Sequence, residues 1–321
     1  MQPVSNARSR MIIIWTVVLC HAFVLAALPL TNVRLDLEST FKAYSLIAIP
    51  GMFCVYAHLR NMTPLQPALD TLFAGFLVTS PVVVSTYLAT SLNMPLADQY
   101  LTGLDESLGF DWHAFVAFVD SRPTLAWLLA LAYSSFFFQL LLLPVYFSLF
   151  RNAARAYAIV FAYTLLCFVS SAISAFYPAL GAFAVQGVEQ ADLAAINVKF
   201  GYFFLEQFHG VRDQAEFILR FHDSAGIVTF PSVHAGVAAL CAWAAWDSRI
   251  LRYPILLLNI AMAVSALSHG SHYLVDIIAG IGVAAVTILV TRKLFYVESA
   301  SHAVPVAMRP AALRTPAAAS D

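Results

Sequence analysis

The sequence predicts an all-α fold, a polytopic transmembrane helical bundle of about eight spans. Hydrophobic residues make up 61% of the 321 positions and charged residues only 11%, and the mean hydropathy is strongly positive, both outside the range of soluble domains. The apolar residues also fall into separate runs, each fit to cross a hydrocarbon core of ~30 Å as a helix. These runs lie near 11–30, 41–59, 66–92, 124–150, 154–177, 231–248, 253–268 and 272–296. The first follows Arg8 and Arg10 without a small-residue cleavage site after Leu30, and is read as a span and not as a signal peptide. No internal repeat supports an inverted-repeat transporter. Beyond about residue 297, Pro305, Pro310 and Pro316 among alanines predict a disordered tail.

Cationic residues assign the sides. An even number of spans collects Arg8, Arg10, Arg60, Arg151, Arg155, Arg249, Arg252, Arg292, Lys293, Arg309 and Arg314 on one face, against Arg34, Lys42, Arg122, Lys199, Arg212 and Arg220 on the other. The positive-inside rule makes the first face cytoplasmic, with both termini, and puts the long loops 93–123 and 178–230 outside. A net charge of −1 carries no nucleic-acid footprint. Cys20, Cys54, Cys167 and Cys241 stand singly in apolar runs, the pattern of small hydrophobes and not of a disulfide framework or thiolate metal site.

Ionisable groups in or beside spans are costly and mark candidate sites. Two segments concentrate them. In GIVTFPSVHAG, 226–236, Pro231 suits a first helical turn, with Ser232 and His234 next to it. In SHGSHYLVDIIAG, 268–280, His269, His272 and Asp276 lead into the last span. His272 and Asp276 are four apart and share a helix face. The carboxylate can fix the imidazole tautomer, leave the other ring nitrogen as a nucleophile and stabilise the cation formed when that nitrogen bonds phosphorus. His234, opening its helix on the same side, can protonate a departing oxygen. Ser232 and the free amides of that helix N-terminus offer donors to an anion. Each segment alone fits a structural reading, a serine-capped helix or a buried histidine–carboxylate bond; two of them opening neighbouring spans on one face favour function.

FPSVHAG, followed by HYLVD 38 residues after its histidine, resembles the second and third motifs of the type 2 phosphatidic acid phosphatase superfamily of lipid phosphate phosphatases and haloperoxidases. The PSxHA and HYxxD forms are most similar to its inositol phosphorylceramide synthase-like branch. LDESLGFDW at 104–112, FYPALG at 176–181 and VRD at 211–213 extend the likeness over roughly 100–285. The resemblance implies His272 as nucleophile, Asp276 as its orienting partner, His234 as general acid, and Ser232 with Arg212 as phosphate ligands. The superfamily's KxxxxxxRP motif is not found, and Ala266 stands where its third motif carries arginine. Arg220 and His269 are therefore possible helpers, with Lys199 behind them. No metal and no cofactor is expected: His269 and His272 lack a third ligand of suitable spacing. His209 and His222 are read as solvated loop residues, and His21, His58, His113 and His302 are given no role.

The expected organisation is a cytoplasmic N-terminus at 1–10, N-terminal spans and outer loop at 11–123, a catalytic core at 124–296 and the tail at 297–321. The expected function is a phosphohistidine-dependent lipid phosphotransferase or phosphatase, passing an inositol-phosphate-like headgroup to a lipid hydroxyl such as that of ceramide or diacylglycerol. Its partners would be the lipid phosphate, the acceptor alcohol or water, and the membrane. The alternatives are a phosphatase with water as acceptor and a non-catalytic lipid-binding or transport protein. Gln139 inside a span is expected to face the bundle, Phe136, Phe137 and Phe138 to pack or face lipid, and Trp112, Trp127 and Tyr133 to anchor at the interface.

Overall fold

The computed structural model describes residues 2–150 and 152–297, so the tail expected to be disordered lies, Val297 apart, outside the described residues. Each of the eight apolar runs forms a helix. The chain opens with α1 (Asn6–Ala27), α2 (Leu37–Leu59) and α3 (Gln66–Ser91), and the first outer loop then adds α4 (Asp98–Ser107) and α5 (Trp112–Asp120). After α6 (Pro123–Leu149) and α7 (Ala153–Ser174), the second outer loop carries the short α8 (Ala182–Gln186), α9 (Lys199–Tyr202) and α10 (Leu205–Asp213). The chain closes with α11 (Val233–Ala245), α12 (Arg252–His269) and α13 (Leu274–Phe295).

Six of these, α1, α2, α3, α6, α7 and α13, are long and apolar enough to cross a membrane alone. At 1.5 Å per residue the 13-residue α11 reaches only ~20 Å. It can afford to be short because α6, α7, α12 and α13 pack around it. The shared core of these five helices centres on Leu166, Val237, Met262 and Ala284. Burial separates the N-terminal pair from the rest: 61% of the apolar window is buried in α3 and in α7, against 11% in α1 and 17% in α2. So α1 and α2 line the outside of a core that begins at α3.

Close approach of α11 and α13 depends on two glycines. A Cβ on Gly280 would lie 2.1 Å from the Ser232 carbonyl oxygen, and one on Gly236 would lie 3.1 Å from the Gly280 carbonyl. Only hydrogen at both positions lets the backbones meet, and this contact joins the two motif-bearing segments.

Short strand pairs tie the ends. β1 (Gln2–Pro3), β2 (Val33–Leu35), β3 (Phe217–Leu219) and β4 (Tyr296–Val297) form two ladders, β1 antiparallel to β4 and β2 parallel to β3. The first puts the start of the chain and the end of α13 on one side of the bundle, as an even number of crossings requires. The second binds the α1–α2 connection to the second outer loop.

A polar node holds the N-terminal pair to the core. Asp70 of α3 accepts from Arg10 Nε at 3.0 Å, from the Cys54 thiol at 3.1 Å and from Tyr157 OH at 2.6 Å, and pairs with His58 Nε2 at 2.7 Å. Each donor comes from a different place in α1, α2 or α7. His58 and Cys54, read from sequence as an isolated histidine and a plain hydrophobe, are thus both engaged. Four donors saturate the lone pairs of a carboxylate buried among helices.

Gln139 faces the bundle as expected, accepting from Asn259 Nδ2 at 2.7 Å. Two of the three expected interfacial anchors do not face the interface. Trp112 packs edge-on against Phe183 in the buried core of the outer cap, and Tyr133 is buried on α6. Their amphipathic rings are drawn inward because the outer loops fold back over the bundle and supply apolar surface there.

Candidate active site

The turn between α12 and α13 sets the first histidine. Gly270 caps α12, its N–H reaching the Ala266 carbonyl at 3.0 Å, and the His272 N–H bonds the same oxygen at 3.2 Å. Ser271 then reverses the chain in the left-handed region at φ 60°. His272 therefore precedes the first residue of α13 and does not ride on it. It still meets Asp276, with Nδ1 to Oδ2 at 3.0 Å, because Asp276 lies in the first helical turn and reaches back toward the cap. The same Oδ2 accepts from the Tyr273 N–H at 3.1 Å. Asp276 is fully buried, and its Oδ1 has no hydrogen-bond partner among the described residues. A carboxylate at a helix N-terminus is favoured by the macrodipole, which offsets part of its burial cost.

The second histidine comes from α11. Ser232 is the N-cap, its Oγ accepting from the Ala235 N–H at 3.3 Å, so Pro231 stands just before the cap and not in the first turn. The Ser232 N–H donates to the Asp276 carbonyl at 3.0 Å, a direct link between the two segments. His234, in the first turn, is stacked on Tyr133 with ring centroids 4.1 Å apart and planes 10° from parallel, and Phe136 packs on it at 4.5 Å. Both aromatics escape a sequence reading, since an aromatic on an apolar helix looks alike whether it meets lipid or a ring. Their tight packing fixes the imidazole's orientation.

His234 and His272 line one cavity of about 570 Å³ between α3, α6 and α7. Phe200, Thr229 and Val233 join them at its outer end. Most other walls are apolar, and among the described residues no lysine or arginine lines it. The outer loops brace this end. Asp98 accepts from the Leu180 and Gly181 N–H groups and from Tyr273 OH, all at 3.0 Å. Gly181 needs to be glycine: its φ is +93° and a Cβ would meet the Ser271 carbonyl at 2.7 Å. Asp105 accepts from the Leu274 and Val275 N–H groups at 2.8 and 2.9 Å, capping the helix that carries Asp276. Burial raises the Asp105 carboxyl above its ordinary value, and the two amides pull part of the way back. These aspartates position the histidine turn; sequence alone marks only the LDESLGFDW motif around Asp105.

A buried histidine–carboxylate pair stands beside a second histidine at the polar end of a mostly apolar cavity. A family model described as the PAP2 superfamily matches residues 99–290. The chain belongs to the PAP2 superfamily. The matched stretch takes in both histidine segments and leaves α1, α2 and α3 outside. Neither the search of curated proteins nor that of solved structures returns a match. Membership in the PAP2 superfamily supports phosphatase or phosphotransferase chemistry on lipids in general terms.

The remaining PAP2 candidates lie apart from this cavity. Ser232 Oγ is spent as a helix cap. Arg212 is near the end of α10, donating from Nη2 to the Met94 carbonyl at 3.0 Å, with its guanidinium over the Phe208 ring and Nη1 buried without a partner among the described residues. It is not in the cavity wall. Arg220 and Lys199 are exposed. His269 is buried, its Nδ1 meeting Ser268 Oγ at 3.0 Å, and also stands off the cavity. His209 and His222 are exposed beside Asp213 and Asp223, as their solvated reading expects.

Proposed function

We propose that the protein is a lipid phosphotransferase or phosphatase acting through a phosphohistidine on His272, without a metal. The observation that supports this most is the 3.0 Å His272–Asp276 pair opening into a cavity with mostly apolar walls. Asp276 holds the Nδ1 proton, and Nε2 attacks phosphorus. The P–O bond to the lipid alcohol breaks, and His234 gives that oxygen its proton. In the second half His234 takes the proton of an acceptor hydroxyl, whose oxygen attacks phosphorus and breaks the N–P bond.

Anion stabilisation rests on the amides opening α11 and on histidine protons, since no lysine or arginine lines the described cavity. Arg212 contributes only if its side chain leaves Met94. The motif forms favour transfer of an inositol-phosphate-like headgroup to ceramide or diacylglycerol, with water as the other acceptor. By the distribution of cationic residues the histidines face the non-cytoplasmic side and both termini the cytoplasm.

Purified protein incubated with labelled phospholipids, with and without ceramide or diacylglycerol, tests this. Headgroup release or a new phosphorylated lipid is expected, persisting in excess chelator and absent in His272→Ala. No product from any lipid, or turnover lost on chelation and restored by one divalent ion, overturns the reading.

A further inference from the structure

The cavity is far deeper than its histidines need. On α3 it is lined by Thr71, Gly75, Thr79, Val82 and Thr86, a stripe at helical spacing along more than half of the helix. The outer end is fixed by the Ile227 N–H, which donates to Thr86 Oγ1 at 3.4 Å just before Thr229 and the histidine helix. From Thr86 to Thr71 the wall runs ~22 Å at 1.5 Å per residue. One leaflet of hydrocarbon is only ~15 Å deep. Pro144 of α6 and Val160 of α7 stand at the inner end, and Thr79 and Phe137 line the cavity while exposed on the bundle surface. The space is therefore a slot with a sideways opening between α3 and α6.

We propose that this slot is a tail-binding site that selects long-chain lipids, holding one tail extended from the histidines past Gly75 toward Thr71. The proposal rests on the histidines acting on a lipid phosphate. At ~1.25 Å per methylene, set by a 1.5 Å carbon–carbon bond at tetrahedral angle, ~22 Å holds about 16–18 extended carbons. The sideways opening lets the tail enter from the bilayer while the phosphate stays at the polar end. Gly75 lines the slot, and a Cβ there meets nothing within 4 Å. A larger side chain at this position projects into open space without moving backbone, and it also raises helix propensity.

The test compares alkyl phosphates from octyl to octadecyl on the full-length protein and on Gly75→Leu. The wild type is expected to turn over the longest chains best. In the variant the optimum moves several carbons shorter, and hexadecyl phosphate loses about tenfold relative to decyl phosphate, as overpacking a filled apolar site demands. Chain-length profiles of the same shape in both proteins overturn the proposal. A second readout needs no turnover: hexadecyl phosphate with a diazirine at its chain end, photolysed on the His272→Ala protein. Cross-links around Gly75 or Pro144 support the slot even if hydrolysis fails everywhere, which would count against the chemistry alone. Cross-links confined to α1, α2 or the outer loops overturn it.

Discussion

At the residue scale, the proposed chemistry rests on a division of labour between two imidazoles with different surroundings. His272 is tied to a fully buried carboxylate, whereas the packing described for His234 is aromatic. The proposed mechanism uses the first to carry charge on its ring and the second to pass a proton. On that mechanism His272→Ala removes the nucleophile, so turnover is expected to fall to background on every substrate. On the same mechanism His234→Ala removes only the proton donor, with an expected loss of about 10²–10⁴-fold that shrinks when the leaving oxygen needs no proton. Rates on a nitrophenyl phosphate ester beside those on a lipid separate the two: His234→Ala recovers on the nitrophenyl ester and His272→Ala does not. Equal losses of His234→Ala on both substrates would show that another group is the acid. The His272–Asp276 contact was legible from a spacing of four, although it is made from a turn reaching back and not from one helix face. The stacking of Tyr133 on His234 was not legible, because nothing in a run of apolar and aromatic residues marks which ring turns inward. Arg212 shows the reverse case: a motif position whose side chain the fold has committed to Met94.

At the scale of elements, all eight apolar helices could be read from hydropathy, since burial in lipid demands long apolar runs. The helices α4 and α5 could not, being short and mixed in character, yet Asp98 and Asp105 do the bracing of the α12–α13 turn. The α11–α13 crossing is the element contact on which the site turns. Gly280→Ala puts a methyl 2.1 Å from the Ser232 carbonyl, so the helices must part. A destabilisation of about 1–3 kcal/mol is expected, with a larger drop in activity because the Ser232–Asp276 backbone link stretches with it. Gly282→Ala, where a Cβ meets nothing within 4 Å, is the matched control and should leave thermal unfolding in detergent unchanged or raised. Equal shifts in the two variants would mean that the close crossing does not matter.

At the scale of the whole molecule, the β1–β4 ladder requires the two ends of the described chain to share a side, which the proposed orientation makes cytoplasmic. A cysteine in place of Asp213, an exposed residue at the end of α10, is then expected to react with an impermeant thiol reagent in intact cells where the parent chain does not. Labelling only after lysis would invert the molecule. The Asp70 node bears on how such a chain is made. A lone aspartate in a membrane helix opposes insertion by up to ~2.5–3.5 kcal/mol at the centre of the bilayer, and helices enter the membrane in the order of synthesis. Arg10, Cys54 and His58 all precede Asp70 in the chain, and only Tyr157 follows. By the time α3 emerges, three of the four groups that neutralise or bind its carboxylate have already been synthesised. The outer pair of helices, which is little buried and contributes no residue to the slot, thus acts as a receiving dock for α3, the first helix of the buried core; a chain shortened by its first 60 residues would deliver Asp70 to the bilayer with only a tyrosine still to come.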